Sequence, residues 1–142
     1  MVDTNIVVYA YDARDPEKLA RARAVLGALV ASDRGALSTQ VLGEFYSTLV
    51  RQEIASKSQA EQAVLEYVHS WIAFDVKLPS VVEAVRAARQ YQFDYYDALI
   101  WATAKLNGVP NILSEDGQDG QVLEGVRRMN PLHPSFDLAM LS

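Results

Sequence analysis

The chain has 142 residues, 50% of them hydrophobic and 22% charged, with a formal net charge of -5. Those values describe one globular domain over residues 1–142 and exclude a disordered chain. The lack of cysteine excludes a disulfide scaffold and a catalytic thiol, and two histidines leave no zinc or thiolate site of the usual kind.

No apolar run approaches the ~20 residues of a membrane helix, and no basic segment precedes a hydrophobic one at the start, so a soluble, cytoplasmic chain with no membrane partner is expected. The negative balance argues against nucleic-acid binding through a broadly basic surface. Metal bound by clustered carboxylates would offset part of that charge. Arg14, Arg21, Arg23, Arg51, Arg86, Arg89, Arg127 and Arg128 remain available for a local basic rim.

In chain order, Met1 and Val2 lead into Asp3-Thr4-Asn5, followed by the apolar run Ile6 to Ala10. Asp15-Pro16-Glu17 opens a helix with an N-cap acid, a proline at the first helical position and a further acid. Leu19, Arg23, Leu26, Leu29 and Val30 then follow helical spacing. Ala36-Leu37 reads as a short buried strand, and Ser38 or Thr39 caps a helix whose apolar side is Val41, Leu42, Phe45, Tyr46, Leu49 and Val50. Ser58-Gln59-Ala60-Glu61 has the pattern of a capping box, opening a helix to about Ser70.

Ala73 to Val76 is the next predicted strand, and Pro79 starts a helix to about Tyr91 with Val82, Val85 and Ala88 facing inward. Asp94 caps a helix holding Asp97, Leu99, Ile100 and Ala104, which Gly108 ends. Asn111 to Ser114 is a strand running into the polar turn Glu115 to Gly120, and a last strand is expected between Val122 and Met129 before a proline-containing tail. Strands alternating with helices predict a three-layer α/β fold, a central parallel sheet covered on both faces.

Four separated carboxylates, Asp3, Glu44, Asp97 and Asp116, fall where predicted strands end or helices begin. Open parallel sheets place their sites beyond the carboxyl ends of the strands, where acids distant in sequence can meet. Gathered acids repel unless a cation joins them, and a hard divalent ion takes oxygen ligands. Each acid also has an ordinary reading. Asp3 and Asp116 suit turns, with Asp119 a nearby spare; Glu44 suits a solvated helix face, and Asp97 suits a helix dipole.

In succession stand Asp3-Thr4-Asn5, the Val41-Leu42-Gly43-Glu44-Phe45-Tyr46 helix, Tyr96-Asp97-Ala98-Leu99-Ile100 with Ala102 and Ala104, and Ser114-Glu115-Asp116. This order of motifs resembles the PIN-domain family, and within it the VapC-type toxins of toxin–antitoxin pairs, over nearly the whole chain. The resemblance implies a compact α/β/α fold and a Mg2+- or Mn2+-dependent ribonuclease whose acidic quartet matches Asp3, Glu44, Asp97 and Asp116. It also implies a homodimer, an RNA substrate and a cognate antitoxin protein that covers the acidic pocket. Family members usually carry several apolar residues before the first aspartate. Only Met1 and Val2 precede Asp3 here, so the expectation is either a chain shortened at its start or a first strand propped by fewer hydrogen bonds than usual.

On this reading Asp3 and Asp97 hold metal, with Asp116 and Glu44 bound directly or through water, and Glu44 or Asp116 orients the attacking water. Ser114 is a candidate for a metal-bound water or a phosphate oxygen. His69 and His133 lack partners at ligand spacing, and Tyr91, Phe93, Tyr95, Tyr96 and Trp101 suit packing better than base stacking. Gly117, Gly120 and Gly125 form no phosphate loop. An aspartyl phosphatase would need an acid where Asn5 stands, and a phospho-receiver domain a lysine after Lys105. A PIN fold that only binds is the remaining alternative.

Overall fold

The structure, a computed structural model, describes residues 1–141, so Ser142 of the single-domain reading lies outside it. Asp3 caps a short helix α1 (Thr4–Tyr9), so the Ile6–Ala10 run is mainly helical. Asp15 accepts from the Lys18 N–H at 3.1 Å and starts α2 (Pro16–Ala31) as predicted. The buried face of α2 is Ala22, Val25, Leu26 and Leu29, whereas Val30 is exposed and does not belong to the stripe.

Strand β1 (Ala36–Ser38) runs into α3 (Thr39–Arg51), capped by Ser38, whose hydroxyl accepts from the Val41 N–H. Tyr46 lies at the solvent edge of α3, while Phe45 is sealed between the Tyr11 and Tyr67 rings. The next helix, α4 (Lys57–Ser70), does open with a capping box, but Ser56 and Gln59 make it, two residues earlier than the Ser58–Glu61 reading. Both frames satisfy the sequence pattern. The earlier one wins because its serine keeps extended backbone angles.

Strand β2 is Ile72–Phe74, ending before Asp75 and Val76. Helix α5 (Leu78–Tyr91) buries Ser80, Ala84 and Ala87, and leaves Val82 and Val85 in solvent, the reverse of the predicted face except at Ala88. Small residues let α5 lie close against α6 (Tyr95–Leu106). Strand β3 (Asn111–Leu113) follows. The single strand expected over 122–129 is a hairpin, β4 (Val122–Leu123) and β5 (Val126–Met129), turned at Glu124 and Gly125, both with positive φ.

Strands β1 and β2 pair in parallel, β3 and β5 in parallel, and β4 closes the far edge antiparallel. Met1 to Asp3 joins the two groups. The Val2 N–H donates to Ala36 O, the Asp3 N–H to Leu113 O and the Leu113 N–H to Met1 O, each at 2.9 Å. The short lead into Asp3 is thus held by strands on both sides. The result is an α/β/α fold whose core runs through Ile6, Leu37, Phe45, Leu49, Ile100 and Ile112. Asp3, Ser38 and Ser114 all stand at carboxyl ends of parallel strands, the edge where such sheets carry their sites.

Candidate active site

A cleft of about 490 Å³ opens at that edge, between α1 and α3, and all four predicted acids line it. The tripeptide after the first strand organises it. Asp3 Oδ1 accepts from the Thr4 N–H at 2.7 Å, and Asp3 Oδ2 accepts from the Ser114 hydroxyl at 2.6 Å. The Thr4 hydroxyl donates to Glu44 Oε2 at 2.6 Å. Asn5 Nδ2 donates to Asp116 Oδ2 at 2.9 Å, and Asn5 Oδ1 accepts from the Glu115 N–H. Three consecutive side chains therefore reach two segments of the site, Thr4 to Glu44 on α3, and Asp3 and Asn5 to residues 114–116.

Glu44 is fixed from its own helix as well, since Gln40 Nε2 donates to Glu44 Oε1 at 3.0 Å and to Tyr96 O at 3.1 Å. Asp97 enters from the first turn of α6, and its nearest cationic partner is Arg128 Nη1 at 3.8 Å. The Arg128 side chain is buried under Gly117, with Nη1 donating to Asp116 O at 3.1 Å and the guanidinium 5.8 Å from the Phe93 ring. Ser114 has its proton committed to Asp3 and accepts from the Asp116 N–H, so it braces two acids rather than standing free for a ligand. Asp119 accepts from the Asn130 N–H away from the cleft.

The electrostatics follow from this crowding. Burial pushes the Asp3 carboxyl above its ordinary range; the Ser114 and Thr4 hydrogen bonds oppose that, Asp97 adds to it and Arg128 opposes it. Asp97 is also raised, first by burial, with Arg128 opposing and Asp116, Asp94 and Glu44 reinforcing. Four acids line the cleft, and the buried Arg128 guanidinium opposes the charge of Asp3 and Asp97 alone. That imbalance is what a divalent cation relieves.

Among the described residues no imidazole or sulfur lines the cleft, so the donors are hard oxygens, the set that suits Mg2+ or Mn2+. Gln40 Oε1, on the same wall, is a buried oxygen with no hydrogen-bond partner among the described residues, and a cation's water shell would satisfy it. Among the described residues no three His, Asp or Glu side chains stand close enough to ligate one ion. The acids share a cleft, but three of the four are turned onto neutral donors.

Sequence reasoning placed the four acids in one site and missed their supports. Gln40 was findable, four residues before Glu44 on the same helix face. Thr4 and Asn5 stand in the Asp3-Thr4-Asn5 motif, but nothing local in the sequence shows that they bond to Glu44 and Asp116. Arg128 gave no local signal, because only the β3–β5 pairing brings it under Asp116. Of the eight arginines proposed as a rim, Arg14 and Arg51 line the cleft and Arg128 underlies it. Arg21 and Arg23 hold backbone carbonyls, and Arg86 binds Glu83 and Glu124. His69 and His133 bond locally to Leu65 O and Ser135 Oγ. Tyr91, Phe93 and Trp101 pack together, whereas Tyr96 is exposed at the cleft mouth.

Among the described residues no helix is long and apolar enough to cross a membrane. The profile of one protein family, described as the PIN domain, matches residues 1–119. No curated protein matches the chain.

Proposed function

The chain belongs to the PIN-domain family, and from that premise we propose a Mg2+- or Mn2+-dependent ribonuclease that serves as the VapC-type toxin of a toxin–antitoxin pair. The observation that carries the nuclease reading is the oxygen-lined cleft, where four carboxylates gather above a buried guanidinium, Arg128, that lies beside Asp97. Asp3 and Asp97 would hold the metal, with Asp116 and Glu44 completing the set directly or through water. The bound ion supplies a lowered pKa for water and neutralisation of phosphate charge in the transition state.

The chain's own residues do the rest. Among the described residues Asp116 Oδ1 accepts no hydrogen bond while Asn5 fixes Oδ2, which leaves one oxygen available to take a proton from attacking water. Glu44 has both oxygens engaged, by Thr4 and Gln40, and serves better as a fixed negative charge. Arg128 steadies the Asp116 turn from below and keeps Asp97 partly compensated. Metal binding has to replace some of the acids' present hydrogen bonds, so affinity depends on how firmly those donors hold them.

The toxin role, the antitoxin and the homodimer rest on the motif resemblance, and two exposed apolar faces support them. One is Leu78, Val82 and Val85 on α5; the other is Tyr46, Leu65 and Val68, beside a groove of about 440 Å³ between α3 and α4. Purified chain incubated with mixed RNA should cleave it in Mg2+ or Mn2+, lose activity in EDTA and lose it with Asp97→Asn. Cleavage that persists in EDTA, or in the variant, overturns the metal mechanism. An inactive binding module would show no cleavage under any of these conditions.

A further inference from the structure

The cleft is longer than its acidic end. Gln40, Glu44, Thr48 and Arg51 are spaced four, four and three residues apart, so they form one face of α3 and one wall of the cleft. The opposite wall is α1 and the chain after it, from Asp3, Thr4 and Asn5 through Val8 and Tyr9 to Asp12 and Arg14. Both walls run from acids at one end to guanidinium groups at the other. Seven residues of helix separate Glu44 from Arg51, a rise of about 10 Å.

Arg14 is held in place there: Nε and Nη2 donate to the Asp12 carboxylate at 2.8 and 2.7 Å, and Nη2 donates to Gln52 Oε1 at 2.7 Å. Asp12 neutralises that charge, and among the described residues Nη1 has no hydrogen-bond partner. Arg51 makes no ion pair or hydrogen bond among the described residues, so it is the uncompensated cation of the cleft. Its place in the last turn of α3 also suits the helix dipole, which accounts for an arginine there but not for the polar wall of Gln40, Glu44 and Thr48 leading to it.

We infer that Arg51, with Arg14 beside it, forms a phosphate subsite for single-stranded RNA, taking the backbone about 10 Å along the cleft from the acids. The acids repel phosphate except where metal intervenes, so the far guanidinium groups supply attraction that the net charge of -5 lacks. This inference rests on the ribonuclease reading for its ligand and adds a length requirement. A mononucleotide seated at the acids stops short of Arg51, whereas a tetranucleotide reaches it.

The test is fluorescence anisotropy with a labelled, non-hydrolysable RNA tetranucleotide analogue and a labelled mononucleotide, using the unaltered chain in millimolar Mg2+. Arg51→Gln should weaken tetranucleotide binding roughly five- to tenfold near 50 mM salt and lower the salt slope by about 0.7, the value of one single-strand phosphate contact. Mononucleotide binding should not change. Arg89→Gln removes the same charge from exposed α5, away from the cleft, and should leave both ligands unaffected. Unchanged tetranucleotide binding in Arg51→Gln, an equal loss in Arg89→Gln, or no binding by the parent each overturns the subsite. Binding is read apart from cleavage. A chain that binds in this way yet never cuts RNA upholds the subsite and overturns the nuclease reading.

Discussion

At the scale of residues, the site is built by neutral donors. Thr4, Asn5, Ser114 and Gln40 each spend a hydrogen bond on an acid, and none of them carries charge. Ser114 is the most committed, wholly buried, donating to Asp3 and accepting from the Asp116 N–H. Replacing it with alanine leaves a buried carboxylate oxygen and an amide short of partners. Urea denaturation of Ser114→Ala should show a loss of about 1–3 kcal/mol. Gly117 offers a second test. Its φ is +80°, and a Cβ there would stand 2.8 Å from Arg128 Nη1, whereas Gly108 at φ +67° faces open space. Gly108→Ala should cost only the backbone preference, about 1–2 kcal/mol. Gly117→Ala should cost more and also lower cleavage, because it displaces the arginine beneath Asp97 and Asp116. Equal losses in the two variants would mean that Arg128 yields freely.

Among the elements, α5 shows where a sequence pattern misleads. It carries two stripes, one of Leu78, Val82 and Val85 and one of Ser80, Ala84 and Ala87. Hydrophobic spacing selects the first. Packing selects the second, since only small side chains allow α5 so close to α6. Ala87→Leu should therefore destabilise by about 1–3 kcal/mol through overpacking, while Val82→Ser should stay within about 0.5 kcal/mol. Thermal or urea melts decide, and the reverse order would restore the sequence-based face. Caps were legible at Asp15 and Asp94, and at Ser38 as one of two candidates with Thr39, because their signals are local. The joining role of Met1 to Asp3, the β4–β5 hairpin and Arg128 were not, because each depends on partners distant in sequence. The four acids line one cleft because Asp3 and Asp116 follow strands at the edge where parallel sheets carry their sites, and α3 and α6 bring Glu44 and Asp97 to it.

For the whole molecule, the uncompensated acids make a statement about stability. Asp3 and Asp97 bind protons more tightly folded than unfolded, since burial raises both. The folded chain then holds more protons than the unfolded one just above the ordinary carboxylate range. The metal-free protein should therefore lose stability as pH rises through that window and stay at the lower level above it. Asp97→Asn, which removes one repelled charge, should be at least as stable as the parent without metal at neutral pH. A cation that binds only the folded site reverses the penalty by mass action. Thermal melts of parent and Asp97→Asn, with and without millimolar Mg2+, test the shared metal site directly. The account predicts a rise in melting temperature for the parent and little or none for the variant. A parent unmoved by Mg2+, or a variant that responds equally, would contradict it.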